Sequence, residues 1–110
     1  MTSLDDETEL IKGLKEGDQL SYKKLVEAYW IELNFLAGRL LADEAIAKDC
    51  VQEVFIKAIT KIAGFEARGT LKAWLHQITV NEALIELRKK SARKEDSLDE
   101  LMLEFDETGH

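Results

Sequence analysis

Residues 49–58 read Asp-Cys-Val-Gln-Glu-Val-Phe-Ile-Lys-Ala, and the fold that we expect follows from the pattern of this segment. On a helix of about 100° per residue, its apolar side chains gather on one broad side together with Ile62, which predicts a helix packed against a core. The opposite side carries two acids, an amide and one aliphatic residue: Asp49, Gln52, Glu53 and Ile56. That mixture suits docking onto a basic partner, although an ordinary solvated helix face has a similar composition.

The rest of the chain also reads as helical, because it has no proline and no convincing strand alternation. We expect an all-α fold, a compact bundle of about four helices with an acidic C-terminal tail. The expected helices cover about residues 5–16, 19–41, 44–62 and 71–92.

Local signals mark the ends of these helices. Gly17 ends the first helix, and the second, third and fourth begin after the capping residues Asp18, Asp43 and Thr70. Ser97 has capping-box spacing to a glutamate three residues later, which predicts a further short helix near 98–104.

The chain of 110 residues is long enough for one domain with a real core. Cys50 is the only cysteine, so no internal disulfide can form, and its place at the edge of the apolar side predicts a buried thiol. The two histidines, His76 and His110, are far apart, and no metal or other cofactor is expected. No signal peptide or membrane-spanning run is recognisable, which makes the cytoplasm the expected location.

The net charge of -7 is unevenly distributed along the chain. Residues 1–56 hold six Lys and Arg against twelve Asp and Glu, and residues 57–94 hold nine against three. Residues 95–110 hold seven acids and no Lys or Arg. Phosphate binding is therefore expected only on the middle block, unless these charges mix on the folded surface.

The fourth expected helix carries a candidate nucleic-acid surface. Trp74, Gln77, Asn81 and Arg88 lie within about 60° of one another on the helical wheel, next to an apolar stripe. A ring can stack on an unstacked base, amides can read base edges, and a guanidinium can hold phosphate. Trp74 also fits a core position, three residues after Leu71. A basic cluster, which the helix dipole explains in part, runs off the helix end: Arg88, Lys89, Lys90, Arg93 and Lys94.

Residues 49–58 resemble the polymerase-binding segment of sigma-70 family transcription initiation factors, most closely the extracytoplasmic-function (ECF) group. Further stretches match the second conserved region of that group, in the same order. They are Lys15-Glu16-Gly17-Asp18, a helix with Tyr22, Leu25, Val26 and Tyr29, the loop 65–71, the stretches Trp74–Ile78 and Val80–Ala83, and Arg88-Lys89-Lys90. The resemblance identifies residues 1–94 as a region 2 domain and leaves residues 95–110 as an acidic tail or the start of an interdomain linker.

The resemblance implies a factor that binds and melts a promoter. Core RNA polymerase, through the clamp coiled coil of its largest subunit, would hold the outward residues of the third helix. The loop and the fourth helix would bind the non-template strand of the -10 element, with one flipped base held by the loop. The DNA-binding residues are then Phe65, Arg68, Gly69, Thr70, Lys72, Trp74, Gln77, Asn81, Arg88, Lys89 and Lys90. The resemblance also allows an anti-sigma factor as a further partner. No membrane partner is expected, because the chain has no apolar run of membrane-spanning length.

Two departures from the family pattern limit what can be transferred. Family members carry a further helix-turn-helix region that reads the -35 element, so we expect an excised domain or a protein with half of the usual promoter contacts. The family more often has Arg-Gly directly after the loop phenylalanine, whereas here Arg68 and Gly69 come two positions later. The base preference of the loop is therefore not transferred.

Other functions fit the same residues. The chain can be a protein-interaction module whose acidic third helix binds a basic partner, or a nonspecific binder of duplex DNA. The acidic tail can also fold back over the basic cluster and weaken DNA binding. No nucleophile–base pair, phosphate-cradling glycine loop or metal cluster is recognisable, so no enzymatic activity is expected.

Overall fold

The structure, a computed structural model, describes residues 4–66 and 69–106, with side chains described over 6–66 and 69–92. The described residues form four α-helices and no strand, which confirms the expected all-α bundle. The helices are α1 Leu4–Lys15, α2 Gln19–Leu41, α3 Glu44–Lys61 and α4 Leu71–Asp106, with a 3-10 turn over Ile62–Gly64 after α3. None of the described helices combines the length and hydrophobicity that crossing a membrane requires.

A glycine ends α1, as expected. Gly17 has a φ of +77°, and its N–H donates to the carbonyl of Leu14 at 3.1 Å. The N–H of Asp18 reaches back to the carbonyl of Gly13 at 2.9 Å, which completes a Schellman motif. Asp18 then caps α2, because its carboxylate accepts a hydrogen bond from the N–H of Ser21. This turn therefore closes one helix and opens the next within two residues.

The turn between α2 and α3 also uses a left-handed residue to end one helix before a cap begins the next, but that residue is not glycine. Ala42 adopts a left-handed φ of 54°, and its N–H donates to the carbonyl of Gly38 at 2.8 Å. Asp43 accepts from the N–H of Ile46 at 3.0 Å and caps α3, as predicted. The cap residues thus set where α2 and α3 begin.

Helix α3 packs against both α2 and α4, which also contact each other. Its inward residues are all buried, as the periodicity predicted: Val51, Val54, Phe55, Ala58 and the following Ile62. The core is completed by Leu25, Leu33 and Leu41 of α2 and by Leu71 and Leu75 of α4. The ring of Trp30 on α2 stacks near Phe55, with 6.3 Å between ring centroids.

The predicted end of α4 near residue 92 is wrong. The helix continues without interruption to Asp106, so Ser97 lies inside α4 and does not cap a separate helix over 98–104. The physical reason is local composition, because residues 91–106 contain no glycine or proline and consist largely of good helix formers. A capping-box spacing begins a helix only where the preceding residues stop one.

Candidate functional site

The outward face of α3, which we call the docking face, consists of Asp49, Gln52, Glu53 and Ile56. All four side chains are exposed, and Ile56 is 54% accessible although it is aliphatic. The side chains of Asp49, Gln52 and Glu53 make no hydrogen bond or ion pair with any described residue. The docking face therefore presents two carboxylates and an amide around one apolar side chain. No described residue of the bundle pairs with these polar groups.

A groove of about 560 Å³ extends the docking face towards α4. The α4 side of this groove carries Ile85, Glu86 and Lys89, and its floor holds an ion pair between Lys57 and Glu82. Glu82 is only 5% exposed, so Lys57 compensates a buried charge. This pair was not predicted, although Glu82 is an acid on the core-facing side of the α4 wheel, among Leu75 and Ile78.

Cys50, which follows Asp49 on α3, is buried at 1% exposure, as expected. Burial, reinforced by the negative charge of Glu86, raises the pKa of its thiol to about 11. Among the described residues, no group of His, Cys, Asp or Glu side chains has an arrangement that could hold a metal ion.

The loop before α4 forms the second candidate site, which we call the recess. It has a volume of about 430 Å³ and opens between the loop and the first turn of α4. Phe65 is 8% exposed and supports the recess from below, with its ring centroid 5.0 Å from that of Trp74. Trp74 is half-buried, so one ring both packs on the core and lines the recess. The described lining residues are Gly64, Phe65, Glu66, Gly69, Thr70, Ala73 and Trp74.

Gly69 and Thr70, two of the predicted DNA-binding residues, both have a structural role in the loop. Gly69 has a φ of +144°, a conformation that side chains strongly disfavour, which explains glycine at this position. Thr70 caps α4 as predicted, because its hydroxyl accepts from the N–H of Ala73 at 3.0 Å. Arg68 lies outside the described residues.

The loop is also held by α1, a helix that was not predicted to belong to any site. Lys15 Nζ donates to the carbonyl oxygen of Phe65 at 3.0 Å. The N–H of Leu71 donates to Glu7 Oε1 at 2.5 Å. These pairs are separated by 50 and 64 residues, so no local sequence signal could have revealed them.

A polar edge continues from the recess along α4. Gln77 and Asn81 are exposed, and the Gln77 amide donates to Asn81 Oδ1 at 3.2 Å. This contact gives a local reason for an asparagine in mid-helix. Arg88 and Lys90 are exposed further along, and Lys89 lies 3.6 Å from Glu86. The structure therefore brings the predicted amides next to the recess and places the cations farther down the helix.

Lys72 is the predicted cation nearest the recess, and an acid partly neutralises it. Glu32 on α2 lies 3.4 Å from Lys72 Nζ and 2.6 Å from His76 Nε2. The hydrogen bond from His76, with a smaller contribution from Lys72, lowers the pKa of the Glu32 carboxyl below its usual value. Lys72 therefore stabilises the contact between α2 and α4 in addition to any role towards phosphate.

Comparison with known proteins adds independent information on the family. Residues 25–93, more than half of the chain, match the family model Sigma-70 region 2. The ECF RNA polymerase sigma factor SigW of Bacillus subtilis is 34% identical over 80 residues, which cover 73% of this chain and 43% of SigW. The RNA polymerase sigma-H factor of Pseudomonas aeruginosa is 29% identical over 97 residues, or 88% of this chain and 50% of that factor. The chain thus spans half or less of the length of these relatives.

A solved structure also matches this fold. It is the NMR structure of an engineered region 2 of sigmaE in complex with GTAAAA, with a TM-score of 0.73 and 30% sequence identity. The match covers 79% of this chain and 90% of the solved one. The chain belongs to the sigma-70 family of RNA polymerase sigma factors, as a region 2 domain of the ECF group.

Proposed function

We propose that this chain docks on core RNA polymerase and holds the opened -10 element of a promoter. The observation that carries the proposal is the recess beside Trp74, which continues into the exposed amides of Gln77 and Asn81. An aromatic wall next to hydrogen-bonding amides fits an unstacked base better than it fits duplex DNA. A structural relative in complex with GTAAAA supports the same assignment.

Docking uses the face of α3. The partner is the clamp coiled coil of the largest polymerase subunit, whose basic side chains would meet Asp49 and Glu53. Exposed ion pairs alone contribute little affinity, so Ile56 supplies the apolar centre that the carboxylates surround. The carboxylates steer the encounter and fix the orientation.

Base capture uses the recess. Flipping a base out of the stack costs a few kcal/mol, and stacking on a ring returns about 1–3 kcal/mol per base. Phe65 is too buried to stack on a base, so it supports Trp74, which offers the accessible ring edge. Gln77 and Asn81 then contact base edges, while Arg88, Lys89 and Lys90 neutralise phosphates farther along the strand.

The domain acts by binding and not by catalysis, in the cytoplasm where polymerase and DNA are found. Melting follows from differential affinity, because a site that binds the single strand better than the duplex shifts the population towards the open form. Residues 1–94 would carry both binding activities. Residues 95–110 would begin the connection to the rest of a longer factor.

The test of docking is binding of this chain to core polymerase and to the isolated clamp coiled coil. Changing Asp49, Gln52 and Glu53 to alanine should weaken binding by about 30-fold or more, because the steering charges and their hydrogen bonds are lost together. Folding is checked by the unfolding transition, which should hardly change because all three side chains are exposed.

A matched control removes two acids and an amide elsewhere. Glu9, Glu16 and Gln19 are likewise exposed, and their replacement by alanine changes the net charge by the same amount. If both triple variants lose the same affinity for the coiled coil, the loss reflects net charge and not a specific docking face. No binding by the folded wild-type chain would overturn the proposal.

Single-stranded GTAAAA and a hairpin whose longer duplex stem contains the same sequence test the second activity. We expect this chain to bind the single strand more tightly than the duplex. A nonspecific duplex binder would bind the duplex more tightly. A pure protein-interaction module binds neither, and its coiled-coil affinity is its only activity.

A further inference from the structure

Helix α1 contacts both ends of the loop that forms the recess. At the beginning of the loop, the Lys15 ammonium donates to the carbonyl oxygen of Phe65 at 3.0 Å. At its end, the Glu7 carboxylate accepts from the N–H of Leu71, the first residue of α4, at 2.5 Å. Both contacts involve a charged side chain and a backbone group, which makes them stronger than neutral hydrogen bonds.

The spacing of the two side chains matches this arrangement. Eight residues separate Glu7 from Lys15, so they are about 12 Å apart along the helix axis. One helix of fixed length therefore sets the distance between the two ends of the loop. In addition, the Glu7 carboxylate occupies the N-terminal end of α4, where a negative charge is favourable and an N–H group otherwise lacks a partner.

Helix α1 is itself held independently of the loop. Leu14 is buried at 3% exposure, and Gly13 lies so close to α2 that an added Cβ would come within 2.0 Å of Ser21 Oγ. Close packing of this kind leaves α1 little freedom to shift on α2. The contacts to the loop therefore start from a rigid base.

We propose that Glu7 and Lys15 are positioning residues for base capture, and that α1 braces the recess in the shape that accepts a base. The inference rests on the proposed function, because it assigns α1 a role in the same site. Phe65 supports Trp74, so a displaced Phe65 carbonyl also changes the ring that the base meets. Pre-organising the loop in this way lowers the ordering cost of binding.

The test replaces Lys15 by methionine, which keeps the length of the side chain and removes the donor. Affinity for single-stranded GTAAAA should fall about tenfold, because a charged hydrogen bond that orders the loop is lost. Glu7→Ala should give a similar loss, and Lys15→Arg, which keeps a cationic donor, should restore most of the affinity. Binding to the clamp coiled coil should not change, since neither residue lies on the docking face.

Lys12→Met is the matched control, because Lys12 is an exposed lysine of the same helix and its replacement removes the same charge. A second readout needs no oligonucleotide. In a Trp30→Phe background Trp74 is the remaining tryptophan, and its quenching by acrylamide should increase in Lys15→Met but not in Lys12→Met.

The outcomes separate the inference from the proposed function. If wild type binds GTAAAA and Lys15→Met binds it as tightly as Lys12→Met does, the positioning role is wrong while base capture stands. If Lys15→Met weakens coiled-coil binding as much as oligonucleotide binding, the two contacts support the fold generally and the inference also fails. If folded wild type binds neither probe, the proposed function fails and the positioning role fails with it.

Discussion

The docking face and the recess lie on neighbouring helices and are built in different ways. The docking face is four exposed side chains of one helical stretch, and its polar members have no partner among the described residues. The recess combines the loop before α4, the first turn of that helix and two side chains of α1. Only the docking face could exist on an isolated helix.

This difference indicates how each surface depends on the fold. Because the docking face needs only the orientation of α3, substitutions elsewhere should leave it intact unless they displace that helix. The recess depends on contacts between segments 50 and 64 residues apart, so it should respond to changes far from any base. The following substitutions test this contrast.

Breaking the ion pair between Lys57 and Glu82, on the floor of the groove beside the docking face, should destabilise the whole bundle and so affect both surfaces. Lys57→Met leaves Glu82 charged and buried without compensation, and we expect about 3 kcal/mol of destabilisation in denaturant unfolding. Docking and oligonucleotide binding should weaken together at the temperatures or denaturant concentrations where the variant begins to unfold and the wild type does not. Lys61→Met, which removes an exposed cation one turn later, is the control.

The double variant Lys57→Met/Glu82→Leu identifies the origin of that cost. Replacing both partners by apolar residues is often neutral, so most of the stability should return. A double variant as unstable as Lys57→Met would show that packing of the lysine stem, and not the orphaned carboxylate, dominates.

Removing the aromatic wall should affect one surface only. Trp74→Ala should weaken binding of single-stranded GTAAAA by about 2 kcal/mol, because the stacking surface is lost, and should leave coiled-coil binding unchanged. Trp74→Phe keeps a ring against Phe65 and should lose much less. Equal oligonucleotide affinity in all three proteins would show that the ring is a core residue alone.

The basic end of α4 should contribute charge and little sequence preference. Arg88→Ala should reduce the binding free energy by about 1 kcal/mol at low salt for every oligonucleotide tried. It should also make the slope of log binding constant against log salt concentration shallower by about 0.7. Lys24→Ala on α2 removes an exposed cation away from this edge and should leave the slope unchanged. A sequence-dependent loss in Arg88→Ala would instead indicate a base contact.

The smallest effect concerns pH. Because the folded-state pKa of Glu32 is lowered, its contribution to stability is present above the unfolded value near 4.5 and is lost as the pH falls through the folded value. Glu32→Gln should therefore lower the melting temperature at pH 7, and the difference from wild type should disappear in strong acid. A difference that persists at pH 3 would mean that the carboxylate charge is not what matters.

The sequence was sufficient for features that local periodicity and capping determine. The inward and outward sides of α3, the three caps and the end of α1 at Gly17 were all predicted correctly, since each depends on residues within one or two turns. The bundle and its region 2 family were likewise predicted and confirmed. The residue-level roles in docking and base capture stay predictions.

The errors and omissions arose where distant segments meet or where no signal stops a helix. The contacts of Lys15 and Glu7 were missed because their partners are far along the chain. The pair of Lys57 with Glu82 was missed because pairing between side chains of two helices produces no periodic pattern in the sequence. The end of α4 was placed too early because the capping-box spacing at Ser97 was taken for the start of a new helix, although no residue before it stops α4.

The burial of Cys50 has a consequence for measuring how often the bundle opens. Burial raises the pKa of the Cys50 thiol to about 11, so very little thiolate is present near neutral pH, and the sulfur is also shielded from solvent. Alkylating reagents should therefore react only during transient opening, so the labelling rate reports the population of open molecules. Since Cys50 adjoins Asp49 of the docking face on α3, a partner that holds this helix in place should slow the labelling without touching the sulfur.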